Sequence, residues 1–380
     1  MIRELFLAGL LLTATIGKSQ VGVSSKKDKA IATVDPKATK QTKALYANLF
    51  KIAPEYILFG HQDALAYGVM WKDWHKKKSD VWDVCGQYPA VFGWDIGDIG
   101  QRHINIDTVD FEHMREWIIE AYQMGGINTI SWHVDNYLTK GSSWDVGDNV
   151  VAAILPGGTH HELYLKDLDM LADFFKSLKT GFLGKERIPI VFRPFHEHTG
   201  AWFWWGKPHC SPEEYQALWR FTVSYLRDQK EVHNLLYCYS TDVFENKEQY
   251  LECYPGDEYV DILGFDDYKD VRPENDPALL TQRLRMLVEI ADERGKVPAL
   301  TETGLEGIPE SNWWTERLLR YIKADPVAMR IAWVLIWRNA RINHHFGPYP
   351  GHISENNFRQ FCEDPVILLE GELPKLYKLK

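Results

Sequence analysis

From about Thr42 onward the chain alternates short apolar runs with longer amphipathic ones, and no Pro/Gly/Ser-rich stretch breaks the alternation. About eight of the short runs are nearly continuous in apolar residues: Ile57–Gly60, Ala90–Asp95, Ile127–His133, Ile188–Arg193, Leu235–Tyr239, Val260–Asp266, Val297–Glu302 and Ile331–Trp337. Strands buried on both faces of a parallel sheet read this way, whereas half-exposed strands alternate. Helical patterns lie between them. Asp110–Gly125 carries Met114, Trp117, Ile118 and Ala121 at three- and four-residue spacing, with Gly125 as a stop. Ser211–Gln229 opens with a serine cap, Pro212 in the first helical position and Glu214 three residues after the cap, and Asp276–Gly295 repeats that logic.

Strand followed by helix, about eight times over, predicts a single (β/α)8 barrel domain across residues 41–380. An open doubly wound sheet is the competitor. It lacks the G-x-G-x-x-G that should follow a first strand, and nothing marks a switch point.

Ahead of the barrel, residues 1–17 hold a charged start, an apolar run from Leu5 to Leu12 and small residues after it, which predicts a secretory signal too short to span a bilayer. The expected location is therefore secreted or periplasmic. No cysteine stands near the cut, so no membrane anchor is expected, and the polar residues 18–40 read as a flexible linker. The 380-residue chain has a formal charge of -10, and its basic runs, such as Lys76–Lys78, are short, which argues against a nucleic-acid partner. Five cysteines, none in a C-x-x-C, make a structural zinc ribbon improbable and leave disulfide pairing open. Fifteen tryptophans exceed what core filling usually needs, and a flat indole suits a sugar ring.

In such a barrel the functional groups sit at the carboxyl ends of the strands. Asp95, His133, Arg193, His196, Glu197, Asp242, Asp266, Tyr268, Glu302, Trp337 and Arg338 all fall at or just past such ends and are expected to share one mouth. Two carboxylates stand out, Glu197 after the fourth strand and Glu302 after the seventh. Glycoside hydrolysis needs such a pair, one protonated to release the leaving oxygen and one ionised, so the two require unlike surroundings. Glu197 precedes Trp202, Trp204 and Trp205, a setting that disfavours its charge, while Glu302 has Arg193 and Arg338 available from neighbouring strand ends.

The segments FRPFHEHTGAWFWWG, GFDDY and TETG, with SWH and WR at the third and eighth strand ends, resemble glycoside hydrolase family 26, a β-mannanase family of the large retaining barrel clan. The resemblance covers the chain beyond the linker. It implies Glu197 as acid/base, Glu302 as nucleophile, His196 beside the acid, Trp202 lining the cleavage point and Tyr268 touching the nucleophile. It further implies that His133, Asp266, Trp337 and Arg338 line the substrate cleft, that the substrate is a β-mannan polysaccharide or manno-oligosaccharide, and that no cofactor is needed. Some members act instead on mixed-linkage glucan or β-1,3-xylan.

Blander readings stand beside these. His196-Glu197-His198 lacks the i, i+4 spacing of H-E-x-x-H, so no metal is expected there. A non-catalytic glycan-binding barrel would use the same aromatic cleft. Trp117, Trp219 and Trp333 read as core, Trp313-Trp314 as either a platform or a loop anchor, and His160-His161 and His344-His345 as exposed loop residues, the second pair within reach of the cleft.

Overall fold

The apolar runs become parallel strands in the computed structural model, which describes residues 31–72 and 77–379. The expected signal segment, the first part of the expected linker and Lys76 lie outside the described residues. Eight strands close into a barrel: β1 (Ile57–Gln62), β2 (Val91–Asp95), β3 (Ile127–Trp132), β4 (Ile190–Pro194), β5 (Leu235–Thr241), β6 (Ile262–Asp267), β7 (Val297–Thr303) and β8 (Trp333–Ile336). Every neighbour pair is parallel, and β8 returns to β1 with Leu58 opposite Trp333 and His61 opposite Ile336. All residues of these strands are buried, which is why their apolar character runs on without alternating.

The helices form where the caps say they should. Asp110 accepts from the amides of Glu112 and His113 to start Phe111–Met124, and Gly125 ends it at φ 101°, a backbone state that glycine adopts without steric cost. Ser211 and Glu214 form a reciprocal capping box ahead of Pro212–Ser224, after which the last turn widens over Tyr225–Gln229.

Two apolar layers result. One lies between the strands and the outer helices. The other fills the barrel's lower interior, where Val91, Ile127, Val191, Leu236 and Ile262 meet Leu45, Tyr46, Leu49 and Ile52 of the first helix, Lys40–Ile52. That helix floors the barrel, and Tyr46 donates to the carbonyl of Asp261 at 3.1 Å, just before β6 begins. Burying each of these leucines and isoleucines stabilises the fold by roughly 1.5–3 kcal/mol.

The later part of the expected linker is not free. Residues 31–39 pack under the barrel, with Val34 N donating to Asp261 Oδ1 at 2.8 Å and Asp35 Oδ2 meeting His233 Nδ1 at 2.8 Å. Their polar composition hid these contacts, because beside Ala38 the buried residues are a threonine and an aspartate whose side chains are hydrogen-bonded. Among the described residues the five cysteines form no disulfide, and no helix is long and apolar enough to cross a membrane.

Candidate active site

Past the carboxyl end of β4 the chain turns through Phe195 (φ 49°) and Glu197 (φ 54°), both in the left-handed region that disfavours side chains. Such residues cost about 1–3 kcal/mol each and persist only when their surroundings hold them. Here Glu197 N donates to Ser240 O at 3.1 Å, Tyr215 donates to Phe195 O at 2.8 Å and Trp205 Nε1 donates to His196 O at 2.8 Å. The strained turn lifts Glu197 off the strand and aims it into the mouth.

Glu302 reaches the same place without strain, as the penultimate residue of β7. The nearest carboxylate oxygens of Glu197, Glu302 and Asp266 all lie within 4.8 Å of one another. Arg193, buried on β4, donates a hydrogen bond from Nη2 to Glu302 Oε1 and another from Nη1 to Asp266 Oδ2 at 2.8 Å, so a guanidinium already supplies the positive charge between two of these acids. Tyr268 donates to the other oxygen, Oε2, of Glu302 at 2.9 Å.

The two glutamates therefore differ. Burial pushes the Glu197 carboxyl well above the usual range, and the nearby acids Asp266, Glu302 and Asp242 add to the rise. Trp202, whose indole N–H donates to Glu197 Oε2 at 2.6 Å, pulls the other way. Glu302 receives donors on both oxygens from a cation and a phenol, which compensates a negative charge there. Burial opposes the charge of Arg193, yet Asp266 and Glu302 hold it firmly cationic. Asp266 is raised to about 7 by burial, against the pull of Arg193.

The imidazoles also diverge. Burial lowers His196 well below its ordinary value, with Arg193 and His133 reinforcing the effect, so it sits neutral beside the acid. Burial works against a charge on His133 too, but Asp95, 2.7 Å from Nδ1, outweighs it and raises the pKa. His198 points away from the mouth to Tyr239 Oη at 3.0 Å, and burial lowers it to about 3. The two histidines flanking Glu197 thus face different environments, and only His196 borders the cavity.

That cavity, about 780 Å³, is lined by His133, His196, Glu197, Trp202, Tyr268, Glu302 and Trp337 among others. Seven of the nine residues expected to form the site meet there. Two do not. Asp266 is fully buried beneath the floor, bonded to Arg193, Ser240 and Thr301, and supports the site from below. Arg338 is not a partner of Glu302: it binds Asp107 at 3.0 Å and Tyr67 Oη at 3.1 Å, and lines an adjoining cavity of about 660 Å³ with Trp71 and Lys72. Consecutive residues leave β8 toward opposite sides, so Trp337 and Arg338 part company.

Trp117, Trp219 and Trp333 are core, as their positions suggest, and Trp313 and Trp314 are buried anchors. Of the histidine pairs, His344 borders the cavity and pairs with Glu306 at 2.6 Å, His345 is buried, and His161 opens the helix His161–Ser177 with Nδ1 at 2.8 Å from Ile154 O. Sequence reasoning missed Trp144, half-exposed on the loop after β3, whose ring stacks on His133 at 5.0 Å and 16°. A lone indole in the polar stretch KGSSWDVGD was the available signal. Phe203 and Phe346 complete the aromatic wall.

A paired-carboxylate mouth with aromatic walls is chemistry for a sugar chain, and comparison with known proteins agrees. The sequence profile described as glycosyl hydrolase family 26 matches residues 34–314. The chain is similar to a mannan endo-1,4-beta-mannosidase of Bifidobacterium adolescentis, 35% identical over 299 residues that cover 75% of this chain and 29% of that protein. It is 27% identical to a mannan endo-1,4-beta-mannosidase of Thermothelomyces thermophilus, over 82% of this chain and 58% of that protein, so it spans well under two thirds of both curated relatives. Among solved structures, a GH26 beta-mannanase from Bacteroides ovatus superposes with a TM-score of 0.85 at 47% identity, over 90% of this chain and 98% of that one. A modular endo-beta-1,4-mannanase from Cellulomonas fimi gives a TM-score of 0.85 at 40% identity, over 92% of this chain and 80% of that one.

Proposed function

The chain belongs to glycosyl hydrolase family 26, and from that premise we propose that it hydrolyses β-1,4-mannosidic bonds in mannan, galactomannan or glucomannan with retention of configuration. One observation carries the reading: two carboxylates whose oxygens approach within 4.8 Å yet whose surroundings are unlike. Carboxylates with oxygens this close suit direct attack by one on the sugar, whereas inversion needs the two groups parted far enough, about 6.5–9.5 Å, to admit a water.

Protonated Glu197 gives its proton to the departing glycosidic oxygen while Glu302 attacks the anomeric carbon, so the C–O bond to the leaving sugar breaks as an ester to Glu302 forms. Glu197, now a carboxylate, takes a proton from water, and the water oxygen displaces Glu302 from the anomeric carbon. Arg193 and Tyr268 hold Glu302 in place for both attacks. His133, His196, Trp202, Trp337 and Trp144 border the path of the sugar, and Arg338 serves a more distant ring in the adjoining cavity.

Proton NMR of fresh hydrolysate tests the route, since retention requires the β-anomer to appear first and an initial α-anomer overturns it. A product time course on linear mannan, mannopentaose and mixed-linkage β-glucan separates an enzyme from a glycan binder, fixes the backbone sugar, and distinguishes internal cutting from release of mannobiose. The apolar run near the N-terminus supports export to the periplasm or beyond. The mass of the chain recovered from its producing cell checks this, and retention of Met1 counts against it.

A further inference from the structure

The end of the barrel opposite the glutamates carries a projection for which hydrolysis has no use. After the helix His161–Ser177 the chain makes a short antiparallel ribbon, Lys179–Thr180 against Glu186–Arg187, and then enters β4 at its amino end. The ribbon therefore stands at the base, away from the mouth. Its tip reads Gly181-Phe182-Leu183-Gly184. Phe182 is 85% exposed and Leu183 74%, and Gly181, Leu183 and Gly184 all have positive φ. A leucine held in the left-handed region without burial is a cost that packing within the described residues does not offset.

The root of the ribbon is fixed. Glu186 Oε1 accepts from Gln41 Nε2 at 3.1 Å and from Tyr122 Oη at 2.6 Å. Several basic side chains cluster around it. Lys179 and Lys185 flank the tip, both exposed, and an adjoining cavity of about 390 Å³ is lined by Lys37, Lys176, Arg187 and His233, with Glu231 as its one acid. Arg187 Nη1 is buried and makes no hydrogen bond among the described residues.

We infer that this base docks on an anionic lipid bilayer, with Phe182 and Leu183 entering the acyl boundary and the collar of Lys37, Lys176, Lys179, Lys185 and Arg187 meeting headgroup phosphates. Two apolar side chains are too few for the core of a protein interface, which buries some hundreds of square ångströms per partner, but they suit shallow, reversible insertion beside a polybasic patch. Each cation near an anionic leaflet raises partitioning about five-fold. With the base on the lipid, the mouth faces outward to a polymer. The inference is independent of the reaction proposed for the mouth.

Co-sedimentation of the full chain with vesicles of phosphatidylcholine, alone or mixed with phosphatidylglycerol, tests it. The expected result is binding to the mixed vesicles that falls as salt rises, an about ten-fold or greater loss in F182S/L183S, and a comparable loss with a shallower salt dependence in K179E/K185E. Hydrolysis of soluble substrate is unchanged in both variants, whose positions lie outside the mouth. Failure to bind the mixed vesicles, equal binding to neutral ones, or parental binding by both variants overturns the inference.

Discussion

Glu197 and Glu302 face each other across one cavity, yet the molecule builds their two neighbourhoods by opposite means. Glu302 sits within strand β7, its oxygens engaged by Arg193 and Tyr268. Glu197 sits on a turn with two positive-φ residues, among other acids, with a single indole donor. Rigid strand geometry and compensating donors suit a group that must stay charged and in line with a carbon atom. A strained turn in a buried, acid-rich pocket suits a group that must carry a proton and give it up. Identical side chains are thus assigned different chemistry by backbone and neighbours alone.

Breaking the contrast at its stronger end has the largest effect. E302A removes the attacking group and should lower kcat by roughly 10⁴-fold or more, measured as reducing-sugar release with thermal melting to confirm folding. A variant that keeps ordinary turnover rejects the assignment. E197A should cost about 10²–10⁴-fold on mannan but far less on an activated aryl mannoside, whose leaving group departs without a proton. Equal losses on the two substrates mean that Glu197 is not the acid.

Two substitutions sharpen the contrast without abolishing it. Y268F deletes one donor to Glu302 and is expected to reduce kcat by about 10–10²-fold with little change in melting temperature. A parental kcat makes that hydrogen bond structural. W202F deletes an indole donor that favours charge on Glu197, so the carboxyl, already raised, moves further up. The pH-rate profile falls on its basic side where Glu197 loses its proton, and that limb should shift to higher pH by up to about one unit. A limb that stays put or moves down disconnects Trp202 from the acid.

How much of this was legible in the sequence depended on whether the signal was local. The eight strands were readable because each is buried on both faces, so burial wrote itself into consecutive apolar residues such as Ile190–Phe192. The two glutamates were readable because strand ends share a rim in a closed barrel. Arg338 was expected beside Glu302 because a strand end says that a residue is at the rim and not which way around it points. Asp266 was expected in the cleft for a related reason, since a position near a strand end does not disclose that its carboxyl is buried against Arg193, Ser240 and Thr301. Trp144 was missed because a loop has no periodicity to place its side chains. The packing of residues 31–39 was missed because satisfied buried polar groups look like solvent-loving ones.

The helix that floors the barrel carries a consequence for folding. Tyr46 and Asp261 stand 215 positions apart, so the floor is synthesised before all eight walls but makes this hydrogen bond only when the sixth arrives. Such long-range closure requires chain entropy to be spent before any reward is collected, which slows the search for the native state. The apolar face of Leu45, Leu49 and Ile52 is then exposed throughout that search, and a nascent chain of this protein is most prone to self-association before Asp261 arrives.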